Sequence, residues 1–133
     1  MTGFQTITAA AAPAERAPDG SDVRALLRLA RGSMAQFELA PGRTSIAVAH
    51  RTIEEIWTVV SGRGDLWRRQ GAREETVPLE PGVCLTIPVG THFQFRATGA
   101  EALCVIGVSM PPWPGKDEAT VVQGKWKPTV SEA

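Results

Sequence analysis

The sequence predicts an all-β protein whose sheets close into a barrel, and three observations carry that prediction. Apolar residues recur at every second position in Met34 to Leu39, along Ile46, Val48 and His50, and again from Ile56 to Val60, which is the period of a half-buried strand. The pairs Pro41-Gly42 and Pro81-Gly82 stand at matching places, each feeding an alternating segment; proline presets φ and glycine takes the positive φ that other residues avoid. Finally, the run from Pro88 to Phe95 repeats the layout of the first alternating block, and two matched hairpins suggest a closed sheet.

The elements follow in order. Residues 4–8 read as a short strand, and residues 9–21, rich in Ala, Pro, Asp and Gly, as a loop. Residues 1–22 therefore form an arm lying across the body. Val23 to Leu29 and Met34 to Leu39 are both expected as strands, interrupted at Gly32-Ser33. The segments around His50 and from Ile56 to Val60 are expected to be antiparallel strands meeting near Glu54-Glu55, with a turn at Gly62-Arg63-Gly64. Glu101 to Met110 is apolar enough to be a strand buried on both faces. Pro111-Pro112-Trp113-Pro114-Gly115 ends it, because proline cannot donate to a ladder. The barrel thus spans 23–110 and a tail spans 111–133, in which Trp113 and Trp126 read as anchors and the last residues as mobile.

Composition narrows the function classes. A chain of 133 residues with 43% hydrophobic content holds one domain with its own core. The 14 basic residues balance 14 acidic ones, so no net field draws nucleic acid or an anionic membrane, and no aromatic-basic platform for nucleic acid is present. Arg63, Arg68, Arg69 and Arg73 alternate with acids in a hairpin and read as a solvated face. Cys84 and Cys104 sit in apolar runs and read as buried, reduced thiols. With no basic-then-apolar leader and no run long enough to span a bilayer, the expected location is cytoplasmic.

The candidate chemistry lies at His50 and Glu55. Alternation puts Glu55, Trp57 and Val59 on one side of their strand and groups His50 with Val48 and Ile46 on theirs. An imidazole and a carboxylate beside an indole suit a small-molecule pocket, mostly apolar with a few convergent polar groups. A plainer reading has the two side chains hydrogen-bond each other to stabilise a hairpin. Glu54 is the outward member of its acidic pair.

Gly42, His50, Glu55 and Gly62, followed by the Pro88-Val89-Gly90 turn, are spaced as in the cupin superfamily, which residues 34–110 resemble, while His92 lies one residue early. The resemblance implies a double-stranded β-helix, or jelly-roll, barrel, a homodimer, and a pocket whose histidines and glutamate hold a metal. This chain departs from that ligand set. Val48 stands where the first histidine is expected, Phe93 where the last is expected, and Ala97 replaces the asparagine that often follows.

Two registers are open for the second motif. With Phe93 and Phe95 inward, as the ungapped spacing favours, the pocket is apolar and metal-free. With the strand shifted by one residue, His92 and Gln94 face inward, and His50, Glu55 and His92 would form a two-histidine, one-carboxylate site for a divalent metal. Val48, Trp57, His92, Phe93, Gln94 and Phe95 are therefore the candidate ligand-binding residues, and His50 and Glu55 the candidate catalytic pair, suited to proton transfer near neutral pH. The resemblance implies an enzyme transforming a small organic molecule, as an isomerase, cyclase, dehydratase or epimerase or through a metal. The rivals are a non-catalytic sensor and a protein whose pocket is filled by its own side chains. Apolar residues in Thr58 to Val60 and Leu103 to Val108 exceed what a wet outer face requires, so a second subunit is expected to cover them.

Overall fold

The computed structural model describes residues 3–130. The strands are β1 (Ala14–Arg16), β2 (Asp22–Leu29), β3 (Gly32–Leu39), β4 (Val48–His50), β5 (Glu54–Ser61), β6 (Gly64–Gln70), β7 (Arg73–Leu79), β8 (Cys84–Ile87), β9 (His92–Ala97), β10 (Leu103–Met110) and β11 (Ala119–Val121). They build a six-stranded sheet in the order β1-β2-β3-β10-β5-β8 and a five-stranded sheet in the order β11-β4-β9-β6-β7. The inward faces share one core, with Trp57, Val59, Leu103 and Val105 from the first sheet against Val48, Leu66, Phe93 and Phe95 from the second. This is the jelly-roll architecture that the alternation and the paired Pro-Gly corners predict. Gly42 and Gly82 hold φ of 78° and 94° at those corners.

Period two explains which side chains enter the core. In β5, Glu55, Trp57 and Val59 are buried while Glu54, Ile56 and Val60 are exposed. In β10, Leu103, Val105, Gly107 and Ser109 are buried, whereas Cys104, Ile106, Val108 and Met110 are only half-buried. Within a single chain, then, β10 is fully buried on its inner face alone. The six-stranded sheet keeps its outer face open, and Ile56 and Val60 stay 49% and 52% exposed there.

The segments expected to pair near Glu54-Glu55 do not pair. Strand β4 lies in the five-stranded sheet between β11 and β9, and β5 lies in the six-stranded sheet between β10 and β8. The link Arg51-Thr52-Ile53 crosses from one sheet to the other. These three residues make no turn between neighbouring strands of one sheet. Instead Ile53 is fully buried, and the Glu118 carboxylate accepts the Thr52 backbone N–H at 2.8 Å. The link from β8 to β9 crosses between the sheets in the same way. True hairpins join β2 to β3, where Leu29 pairs with Gly32, and β6 to β7, where Gln70 pairs with Arg73 across Gly71 at φ 56°. The first turn thus falls at Ala30-Arg31, and Gly32-Ser33 belongs to the strand.

The ends of the chain are built into the sheets. Residues 4–8 form no strand, and Phe4 is fully exposed; the arm contributes β1 instead, paired with β2. The tail returns as β11 along β4. Beyond it, the Gln94 side chain grips Trp126: its amide N–H groups donate to the Ser45 and Trp126 carbonyls at 2.8 Å each, and its oxygen accepts the Trp126 N–H at 2.9 Å. The mobility expected for the last residues lies outside the described residues.

Candidate functional site

A cavity of about 330 Å³ opens between the sheets and is lined by Val48, His50, Glu55, Trp57, Phe93 and Ser109. Alternation on each strand explains why these side chains converge. Val48 pairs with Phe93 across β4 and β9, and Glu55 pairs with Ser109 across β5 and β10, and paired residues share a face. His50 thus reaches in from the five-stranded sheet and Glu55 from the six-stranded one.

His50 Nδ1 stands 3.5 Å from Glu55 Oε1, with both side chains almost wholly buried. The contact is not a hydrogen bond, and His50 Nδ1 has no hydrogen-bond partner. Glu55 is held at both oxygens: Ser109 Oγ–H donates to Oε2 at 2.7 Å and Trp57 Nε1–H donates to Oε1 at 3.2 Å. The imidazole meets Phe93 and Trp113 edge-on, with ring centroids 5.2 and 5.4 Å away.

Burial sets the protonation of both groups, because removing a charge from water penalises the charged form. It pushes His50 down to about 4, against a smaller opposing pull from the Glu118 charge. It pushes Glu55 up to about 7, although the hydrogen bonds from Ser109 and Trp57 act the other way. The close approach is therefore not an ion pair. Near neutral pH the cavity holds an uncharged imidazole facing a carboxyl group poised to gain or lose its proton.

The other sequence candidates divide between cavity and scaffold. Trp57, Val48 and Phe93 line the cavity. Phe95 packs edge-on against Trp57 at 5.4 Å, within the core. His92 and Gln94 alternate away from Phe93, to the opposite face of β9. There His92 pairs with Ala49 and Arg69, and Gln94 serves the tail. The shifted register is thus corrected, because turning His92 inward would put Phe93 and Phe95 outside the core. No group of three His, Cys, Asp or Glu side chains able to hold a metal occurs among the described residues. His50 and Glu55 are two donors beside Val48 and Phe93, both apolar. That set does not fit a metal centre requiring three protein ligands.

Sequence reasoning missed several wall residues. Trp113, read as a tail anchor, closes one side of the cavity: its N–H donates to Ser33 Oγ at 2.9 Å and its carbonyl accepts from Arg28 at 3.0 Å. Ser109 occupies an inward position of β10, which the period could reveal, but its pairing with Glu55 needed the sheet order. Asp19 also lines the cavity, where its carboxylate oxygen accepts from the Ser21 N–H and hydroxyl at 2.9 and 2.6 Å.

Two antiparallel sheets wrapped around a partly open cavity define a jelly-roll barrel. The family model for the cupin domain matches residues 35–109, more than half of the chain, and the protein belongs to that family. No curated protein sequence matches it. Among solved structures, the polyketide cyclase RemF from Streptomyces resistomycificus superposes with a TM-score of 0.72 at 21% identity, covering 92% of this chain and 88% of that one. The nucleoside dehydratase Pac13 superposes with a TM-score of 0.71 at 14% identity, covering 91% and 92%. The capsular polysaccharide assembling protein CapF from Staphylococcus aureus gives 0.72 at 18% identity over 85% of this chain. This chain spans only about a third of CapF, 32% of its length. At these identities the likeness establishes the fold. No helix among the described residues is long and apolar enough to cross a membrane.

Proposed function

We propose that the protein binds a small organic molecule between its sheets and moves a proton on it, with His50 as base and Glu55 as acid. The observation that carries this reading is the buried, uncharged pair at 3.5 Å with Nδ1 unpartnered. In the tautomer protonated on Nε2, the Nδ1 lone pair takes a proton from a carbon next to a carbonyl. The C–H electrons pass into the carbonyl, whose oxygen takes the proton of Glu55. Return of the proton from Nδ1 to Glu55 closes the cycle over the same short gap. Isomerisation, cyclisation, dehydration and epimerisation all begin with such a step, and the structural neighbours include a cyclase and a dehydratase. The rival in which the protein fills its own pocket is disfavoured by a cavity of about 330 Å³, within the range of small-molecule sites.

The test is deuterium uptake. Purified protein is mixed in D₂O with a panel of cyclic and aryl ketones, and exchange at the carbon beside the carbonyl is followed by NMR. Exchange is expected with the native chain and lost in folded His50→Gln and Glu55→Gln variants. Uptake that survives both substitutions removes the pair from the chemistry.

The same reading includes a homodimer through the open outer face of the six-stranded sheet. There Met34, Val108 and Ile56 stand side by side in register, with Met34 38% and Ile56 49% exposed. A cytoplasmic location is proposed with it.

A further inference from the structure

The cavity is graded from an uncharged inner end to a basic mouth, and its floor is flat. Phe37 and Trp57 lie on the inner face of the six-stranded sheet with ring centroids 5.7 Å apart and planes within 28°. Gly107 lies beneath them. A Cβ there would stand 2.8 Å from Phe37 Cε2 and 3.1 Å from Trp57 Cδ1, so the missing side chain is what lets both rings settle onto the sheet. Phe93 stands at 90° to Trp57 and forms a wall rising from that floor. Such a floor favours a planar ring system, because stacking needs a flat partner.

The polar groups are sorted by depth. The buried lining presents His50 Nδ1, which is unpartnered, the Glu55 carboxyl, the Ser109 hydroxyl and the Asp19 carboxyl, whose titration burial also raises. The basic residues lining the cavity are Arg16, Arg28 and Lys116, all exposed, of which Arg16 is paired with Asp22 at 3.4 Å, against Glu15 as the exposed acid of the lining. Arg28 is positioned beside the aromatic wall by its bond to the Trp113 carbonyl. A buried group that must not carry charge and a solvated rim with cations in excess select a molecule polarised the same way.

We propose that the ligand is a flat, conjugated organic acid, seated with a neutral hydroxyl or carbonyl between His50 and Glu55 and with its anionic group outside, at Arg28 and Lys116. This rests on the reading of the cavity as the ligand site and adds the class of molecule it takes. Tryptophan fluorescence supplies the signal, since Trp57 and Trp113 both line the cavity.

The probes are 6-hydroxy-2-naphthoate and 6-hydroxy-2-naphthamide, equal in shape and differing in charge, titrated into the protein at about pH 6 while tryptophan fluorescence is read. The naphthoate is expected to bind about three- to tenfold more tightly, the scale of exposed charge pairs. A combined Arg28→Gln and Lys116→Gln variant should abolish that preference, read as the ratio of the two affinities within the variant, so that any shift of the Trp113 wall that Arg28 holds acts on both probes alike and cancels. Equal affinity for the two probes, or a preference that survives the double substitution, overturns the anionic part. If neither probe binds while ketone exchange persists, the ligand class alone falls. If both binding and exchange are absent, the reading of the cavity falls with it.

Discussion

His50 and Glu55 lie five positions apart in the chain yet belong to opposite sheets, and their side chains meet at 3.5 Å without a hydrogen bond. The crossover Arg51-Thr52-Ile53 makes this possible. A hairpin would have placed both residues in one sheet and left the cavity with an imidazole or a carboxyl on its wall, but not the two opposed.

The pair has a signature in stability against pH. Glu55 is raised from 4.5 to about 7, so its contribution favours the fold below about pH 4.5 and is lost as pH rises through about 7. His50 is lowered from 6.5 to about 4, so its contribution is present above 6.5 and is lost as pH falls through about 4. Between these limits the two oppose each other. Glu55→Gln removes the first and leaves the second. Denaturant melts should therefore show the variant gaining on the native protein as pH rises from 4.5 to 8, by on the order of 2–3 kcal/mol. A difference that does not change with pH contradicts the raised value of Glu55.

Ser109 steadies the carboxylate form of Glu55 by donating to Oε2 at 2.7 Å. Ser109→Ala should raise the Glu55 titration further and cost about 1–3 kcal/mol in thermal or denaturant melts. The shift is read from the Glu55 carboxyl carbon by NMR. A lowered titration would show that the hydroxyl chiefly accepts from the acid form.

Gln94 belongs to the scaffold. Gln94→Leu strands the Ser45 and Trp126 carbonyls and the Trp126 N–H that the amide now satisfies, at a cost of about 2–4 kcal/mol. Probe affinity in the cavity should be unchanged in the fraction that remains folded. Loss of affinity without loss of stability would return Gln94 to the ligand site.

The outer face of the six-stranded sheet offers a separate test. Sedimentation of the native protein should give a dimer, and Ile56→Asp, which puts a charge amid Met34 and Val108, should give a folded monomer. A native monomer at all concentrations removes the proposed second copy.

Much of the barrel was legible because its signals are local. Period two marked the inward residues of β5 and β9, so Glu55, Trp57 and Phe93 are placed as the alternation requires. Pro-Gly pairs marked the corners. Sheet membership is different, since it depends on which distant strand a segment meets. The three residues of β4 carry no sign that their partners are β9 and the tail strand β11, and for that reason a crossover passed for a hairpin. Trp113 was hidden similarly: prolines around it announce the end of a strand, while its place over His50 depends on contacts with Ser33 and Arg28, some 80 residues earlier.

The most direct measurement is an NMR titration of the native protein labelled at the Glu55 carboxyl carbon and the His50 ring nitrogens. An imidazole that stays uncharged down to about pH 4 and a carboxyl that titrates near 7 is the expected result. A carboxyl that titrates near 4.5 beside an imidazole that charges near 6.5 would contradict the account, for the two would then form an ordinary solvated ion pair with no proton held in reserve.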